Sequence, residues 1–425
     1  MRVLGIVVEY NPFHFGHLYH LKRAKEKVEP DFVVAVMSGN FCQRGEPAIV
    51  DKFARTEIAL RMGIDVVFEL PAVFAVQDAG GFAKGAISVL DATGVVTDVV
   101  FGSESDDVEF LKRVATILHE QPKEYQEFLR VELKKGYSFP NARKYALMRY
   151  FSHMGWDPSE VSKLEKSNDI LGLEYIRSAL EINSTISFHT IKRVGTIERD
   201  PEFKGKYSSA TAIRNLIRKG SMEELKEALP KESYEVLMRE MKHGRGPVLL
   251  ESMGDFLLGF FRLKDEEYFS RIHGFSEGLE KRFVECAVEA RSYREFLECV
   301  KSKRFTFSRL RRIALFAVFG LEKEFVDECN RKGPQYLRLL GFTEKGKELL
   351  KVIKKRAKLP LITNLSLYKK ILEKGEFSVD KGLFLKQLEL DVKATNLYRI
   401  FLPAMEERKG DVDFYTHPIF LSSET

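Results

Sequence analysis

Cysteine is scarce in this chain: there are four in 425 residues, Cys42, Cys286, Cys299 and Cys329, and none forms a CxxC pair. That spacing excludes a zinc ribbon and speaks against a disulfide framework, so reduced thiols are expected. Long hydrophobic runs are missing as well. The stretch VVFELPAVFAV is interrupted by Glu69 and Pro71, and the run Leu4 to Val8 is too short for a secretory core. No membrane or targeting segment is expected, and the expected location is cytoplasmic. Charge of one sign is in small excess, 68 Lys and Arg against 62 Asp and Glu, for a net charge of +6. Such a balance is compatible with nucleic acid without requiring it. No Ser-His-Asp or Cys-His arrangement has a recognisable spacing, so no protein-borne nucleophile is expected. No carboxylate cluster declares a metal site, although Mg2+ is a chemically sensible companion for a triphosphate.

What is present is a chain long enough for two or three domains. Short apolar runs of strand length occur at Val3–Val8, Phe32–Met37, Val66–Leu70, Val95–Phe101 and Ile186–Val194. Helical stripes separate them, as at Leu18, Leu21, Ala24 and Val28. Near-continuous apolar strands alternating with helices predict a doubly wound, Rossmann-like parallel sheet. A charged helical insertion is expected at about 106–160. A break is expected at Lys242 to Pro247, where KHGRGP ends a helical region. The expected organisation is a nucleotide-binding catalytic domain over 1–240 and a mainly α-helical domain over 241–425.

The segment GIVVEYNPFHFGHLYH carries the chemistry. A strand breaks at Asn11-Pro12 and a helix opens with His14 and His17, three residues apart on one face. Unpaired N–H groups of the first turn already favour an anion there. Two imidazoles and Gly16, which lets the backbone approach closely, suit the α-phosphate of a nucleotide under attack. The plain alternative, two surface histidines on an ordinary helix, is disfavoured by the position directly after the first strand. The run Ser208-Ser209-Ala210-Thr211-Ala212-Ile213-Arg214 reads as a second helix start, either a simple cap or a holder for the β- and γ-phosphates. Gly102 and Arg193 are rim candidates, since ligands enter open α/β sheets at the carboxyl ends of strands, whereas Asn168 at a helix start reads first as a plain cap. Lys303, Arg304, Arg309, Arg311 and Arg312 cluster with Phe305 and Phe307, as phosphate neutralisation plus stacking on RNA would require. A solvated helix face weighs equally there.

HFGH together with SSATAIR resembles the HxGH nucleotidyltransferase superfamily, with Ser209, Thr211 and Arg214 matching its second motif and Ala210 replacing a serine. More narrowly, GIVVEYNPFHFGH, MSGNFCQRGEPA, SNDILGLEYIRSAL, SSATAIR and SKRFTFSRLRR together resemble the tRNA(Met) cytidine acetate ligase family. The resemblance implies that ATP and acetate form acetyl-adenylate. The N4 amine of the wobble cytidine of elongator tRNA(Met) then takes the acetyl group. It implies His14 and His17 as catalytic residues. It also implies ATP contacts at Val7, Val8, Glu9, Tyr10, Asn11, Pro12, Phe13, His14, Phe15, Gly16, His17, Leu18, Tyr19 and His20. Further implied contacts are Gly102, Asn168, Arg193, Val194, Ser209, Thr211 and Arg214.

Two other readings remain open at this point: a metabolic adenylyltransferase that keeps AMP in a small product, and a non-catalytic RNA-binding protein with a relic nucleotide site. A homodimer is a general prior only.

Overall fold

In the computed structural model, residues 1–193 and 202–422 are described. Ten strands occur in chain order: β1 Val3–Val8, β2 Phe32–Ser38, β3 Phe41–Cys42, β4 Glu46–Pro47, β5 Val66–Leu70, β6 Asp98–Ser103, β7 Ser187–Lys192, β8 Leu337–Thr343, β9 Leu361–Ile362 and β10 Ile419–Leu421. Helices in the first half are α1 Phe15–Val28, α2 Lys52–Arg61, α3 Ala72–Ala75, α4 Ala79–Ala92, α5 Val108–Glu120, α6 Lys123–Lys134, α7 Phe139–His153, α8 Ser167–Glu181 and α9 Ala210–Lys219.

The main sheet runs β10-β8-β5-β2-β1-β6-β7, with β9 beside β8. β1 pairs in parallel with both β2 and β6, in register Val8↔Met37 and Gly5↔Val99. β5 and β7 extend the parallel set. The chain thus winds outward from β1 in both directions, and the change of direction falls between β1 and β6. That switch point opens a crevice at the carboxyl ends of the strands.

Alternation along each strand covers both faces. Val34 and Val36 of β2 enter one core with Phe82, Ile87 and Leu90 of α4. Val33, Ala35 and Met37 enter the other with Leu21, Ala24 and Val28 of α1 and Ile213 and Leu216 of α9.

The expected strand and helix order holds in the first half. The Val95–Phe101 run begins its strand later, at Asp98, because Val95 and Thr97 belong to the turn that leads in. The region after Pro247 is mainly helical, as expected, and it also returns strands to the main sheet. β8 pairs antiparallel with β5, Val66↔Phe342, and β10 joins β8. The edge of β5 has unmet backbone donors and acceptors, and a distant apolar strand satisfies them.

A buried charge cluster ties the same halves together. Lys52 Nζ lies 2.9 Å from Glu69 and 3.0 Å from Asp413, and Arg338 reaches Glu69 at 3.0 Å and Asp413 at 2.9 Å.

The expectation of four free thiols is also corrected. Cys286 and Cys299 are joined by a disulfide, because helices Leu279–Glu289 and Tyr293–Val300 fold back on each other and bring their Cα atoms to 5.8 Å. Cys42 and Cys329 are free and buried. Among the described residues, no helix is long and apolar enough to cross a membrane.

Candidate active site

β1 ends at Val7 and Val8, half-buried, and Glu9 and Tyr10 carry the chain over the carboxyl end of the strands. Tyr10 takes a positive φ of 47° and the Asn11–Pro12 peptide is cis. The turn is held from the side by Asn11, whose Oδ1 accepts from the Ile49 amide at 2.8 Å. Arg55, wholly buried, donates to the Glu9 carbonyl at 2.6 Å and to carbonyls of Ser38 and Gly39. Burial raises the carboxyl of Glu9 above its usual range, and the Gln43 amide donates to it at 2.6 Å.

His14 is the cap of α1. Its Nδ1 accepts from the Gly16 amide at 3.0 Å, and Nδ1 of His17 accepts from the His14 amide at 3.3 Å. Gly16 is required by this cap: a Cβ there would lie 2.8 Å from Cε1 of His14. The two rings sit 3.9 Å apart, with Tyr10 and Phe13 against His17 at 5.0 and 5.6 Å.

Burial, helped by Arg193 and Arg214, lowers His14 to about 3. Burial also lowers His17, helped by His14 and Arg193, and takes His20 to about 4. All three are neutral near pH 7. A neutral imidazole that accepts at Nδ1 carries its proton on Nε2. His14 and His17 therefore each present an Nε2–H donor, and neither is an imidazolium.

The other predicted residues converge on the same crevice. Arg214 donates to the Asn11 carbonyl at 3.1 Å and lies 3.4 Å from the Thr211 hydroxyl. Ser209 caps α9, its hydroxyl accepting from the Ala212 amide at 3.1 Å. Gly102 closes β6 under the Arg193 side chain, where a Cβ would lie 3.3 Å from Arg193 Cγ. Arg193 donates to Asn168 at 3.2 Å, and Asn168 donates to Glu104 at 2.7 Å. Phe15, Leu18 and Tyr19 are half-buried along the start of α1. Val194 lies outside the described residues.

The second site group is dispersed. Lys303 and Arg304 are exposed, with Arg304 paired to Glu277 at 2.9 Å. Arg309 stacks over Phe305 at 4.6 Å, and Phe305 is buried, so Phe307 is left as the exposed ring. Arg311 is only 20% exposed and is ion-paired to Glu46. Arg312 is half-buried, and its guanidinium is lowered by burial.

Sequence reasoning missed several members of the site. Asp169, fully buried, accepts from the Ser103 hydroxyl and from the Ser105 amide at 3.0 Å, which fixes the loop after Gly102. Lys206 lies over the Phe15 ring at 4.5 Å. Glu46 reaches Arg214 at 3.5 Å. Lys206 carried a local signal, a cation three residues before Ser209, and Asp169 stood beside Asn168 at the same helix start. Glu46 owes its position to a chain crossing.

The chain is similar to known proteins along nearly its whole length. The model of the HIGH nucleotidyl transferase family matches residues 1–413. A Thermotoga maritima protein described as tRNA(Met) cytidine acetate ligase is 69% identical over 98% of this chain and all of its own length. Its Fervidobacterium nodosum counterpart is 54% identical over 97% of this chain and 98% of its own length. The crystal structure of Thermotoga maritima TmcAL without ligand superposes with a TM-score of 0.98 at 70% identity, covering both chains fully. The form bound with alpha-thio ATP superposes at 0.95 and 69% identity, again covering both chains fully. With the HxGH turn at the switch point of the sheet and relatives matched along nearly the whole length, the chain belongs to the tRNA(Met) cytidine acetate ligase family of HIGH nucleotidyltransferases.

Proposed function

We propose that this chain is an ATP-dependent ligase that activates acetate and transfers it to the N4 amine of the wobble cytidine of elongator tRNA(Met). An acetate oxygen attacks the α-phosphorus of ATP, the bond to the β-phosphate breaks and pyrophosphate leaves. The cytidine N4 amine then attacks the acyl carbon of acetyl-adenylate, the bond to the phosphate oxygen breaks, and AMP leaves as the amine loses a proton. Acetate is already an anion, so no protein nucleophile is required.

In this reading the Nε2–H groups of His14 and His17 donate to the oxygens of the α-phosphate, where charge grows in the transition state. Neutral donors serve that purpose without a proton transfer. Thr211 and Arg214 hold the leaving pyrophosphate, and Arg193, oriented by Asn168, meets the nucleotide from the far side of the crevice. The segment Val7 to His20 and Gly102 supply close backbone contacts. Among the described residues no group of three or more His, Cys, Asp or Glu is placed to hold a metal ion by itself. The RNA is received by the exposed cations Lys303 and Arg304 and the Phe307 ring, within the helical region that follows residue 241.

The observation that carries the reading is the pair of neutral, mutually capped imidazoles at the sheet switch point, facing Arg214 and Arg193. Its test is nucleoside mass analysis of elongator tRNA(Met) after incubation with the protein, ATP and labelled acetate. N4-acetylcytidine carrying the label is expected, with AMP and pyrophosphate released. ATP cleavage with no labelled nucleoside, or an AMP-containing small product, would refute the assignment.

A further inference from the structure

Arg311 belongs by sequence to the basic run assigned to RNA, yet its surroundings differ from those of its neighbours. Lys303 and Arg304 face solvent, whereas the Arg311 guanidinium is 20% exposed and grips Glu46, itself 17% exposed. The second carboxylate oxygen of Glu46 lies 3.5 Å from Arg214 Nη2. One carboxylate therefore stands between two guanidinium groups, one on helix Phe307–Phe319 and one on α9.

The β3–β4 hairpin that carries Glu46 is clamped on both sides. On the side of the histidine turn, the Gln43 amide donates to Glu9 at 2.6 Å and the Ile49 amide to Asn11 at 2.8 Å. On the other, Gly45 has φ of +73°, and a Cβ there would come within 2.5 Å of the Arg311–Arg312 peptide. The Glu46 backbone is thereby held between the two arginines.

We propose that Arg311 is a positioning residue of the adenylation site, neutralising Glu46 so that Arg214 keeps its place for the triphosphate. The proposal rests on the assignment of Arg214 to the phosphates made above. A lone carboxylate beside Arg214 would hold that guanidinium and repel an incoming triphosphate. With Arg311 on its other oxygen, the Glu46–Arg311 pair is close to neutral, and the positive charge of Arg214 is left to meet the β- and γ-phosphates. Removing Arg311 alone leaves the carboxylate uncompensated. Removing the charge of Glu46 as well restores the balance.

The test is acetate-dependent ATP–pyrophosphate exchange in the full-length protein without tRNA, at varied ATP, with melting temperatures followed in parallel. Arg311→Ala is expected to raise KM for ATP about tenfold, with a smaller change in kcat. Glu46→Gln added to Arg311→Ala is expected to bring KM back to within a few-fold of the parent, and Arg311→Lys to fall in between. A purely structural role would make the two losses add. Additive losses overturn the proposal, and so does an Arg311→Ala protein with unchanged KM for ATP and weakened tRNA affinity. Arg214→Ala separates the two levels of inference. If it leaves exchange intact, the phosphate assignment fails and this proposal with it. If it raises KM while Arg311→Ala does not, only this proposal fails.

Discussion

His14 and His17 cap each other's turn: the His14 amide donates to Nδ1 of His17 at 3.3 Å, while Nδ1 of His14 accepts from the Gly16 amide at 3.0 Å. A single arrangement thus fixes the helix start, the tautomer of both rings and the direction of both Nε2–H donors. Removal of one such donor should lower acetate-dependent ATP–pyrophosphate exchange on the order of a hundred-fold. His17→Ala is the direct check, and an exchange rate near that of the parent would sink the catalytic role of this pair.

Gly16→Ala should act through the same ring. Its methyl group would meet the His14 imidazole at 2.8 Å and push it off the Gly16 amide. We expect a loss of about 1 kcal/mol of stability from the spoiled cap. Exchange activity should fall as in His14→Ala. Denaturant titration and exchange assays read the two effects separately, and full activity in Gly16→Ala would show that the ring's placement is immaterial.

The half-buried histidines give the nucleotide-free protein a pH dependence of known sign. His14 and His20 titrate near 3 and 4 when folded, against 6.5 ordinarily. Between pH 6.5 and 4 the unfolded chain therefore takes up protons that the folded chain refuses, and stability falls as pH drops through that window. Melting temperatures at pH 7.0 and 4.5 should differ less in His14→Gln and His20→Gln than in the parent. Equal differences would mean that these rings do not resist protonation.

Lys52 is wholly buried between Glu69 and Asp413. Lys52→Met leaves two carboxylates facing Arg338 alone, and should cost about 3 kcal/mol or more. Equilibrium denaturation measures it, and a loss below about 1 kcal/mol would show that Arg338 suffices for both acids.

For the RNA surface, Lys303→Glu with Arg304→Glu should weaken tRNA(Met) binding and flatten its salt dependence, while exchange without tRNA stays at the parental rate. Unchanged tRNA affinity would make these two residues an ordinary solvated face.

Local sequence determined a good deal about this protein. The central strands β1, β2 and β5 announce themselves because they are buried on both faces and so are mostly apolar. The histidine turn is legible because cap, glycine and both imidazoles lie within four residues, His14 to His17. Ser209 and Arg214 are legible for the same reason, as parts of one helix start. Tertiary structure alone decided the rest, because the deciding partners are far apart along the chain. β8 reads as an apolar run in a helical region, and only the open edge of β5 makes it a strand of the main sheet. Cys286 and Cys299 look like isolated thiols until two helices fold back and align them. Arg311 looks like any cation of a basic run. What distinguishes it is a carboxylate 265 residues earlier, brought within reach because Gly45 lets a hairpin press against the peptide of Arg311. Sequence patterning reports burial and helix ends, which depend on neighbours a few residues away. Charge pairing depends on which loops meet, and only the packed fold fixes that.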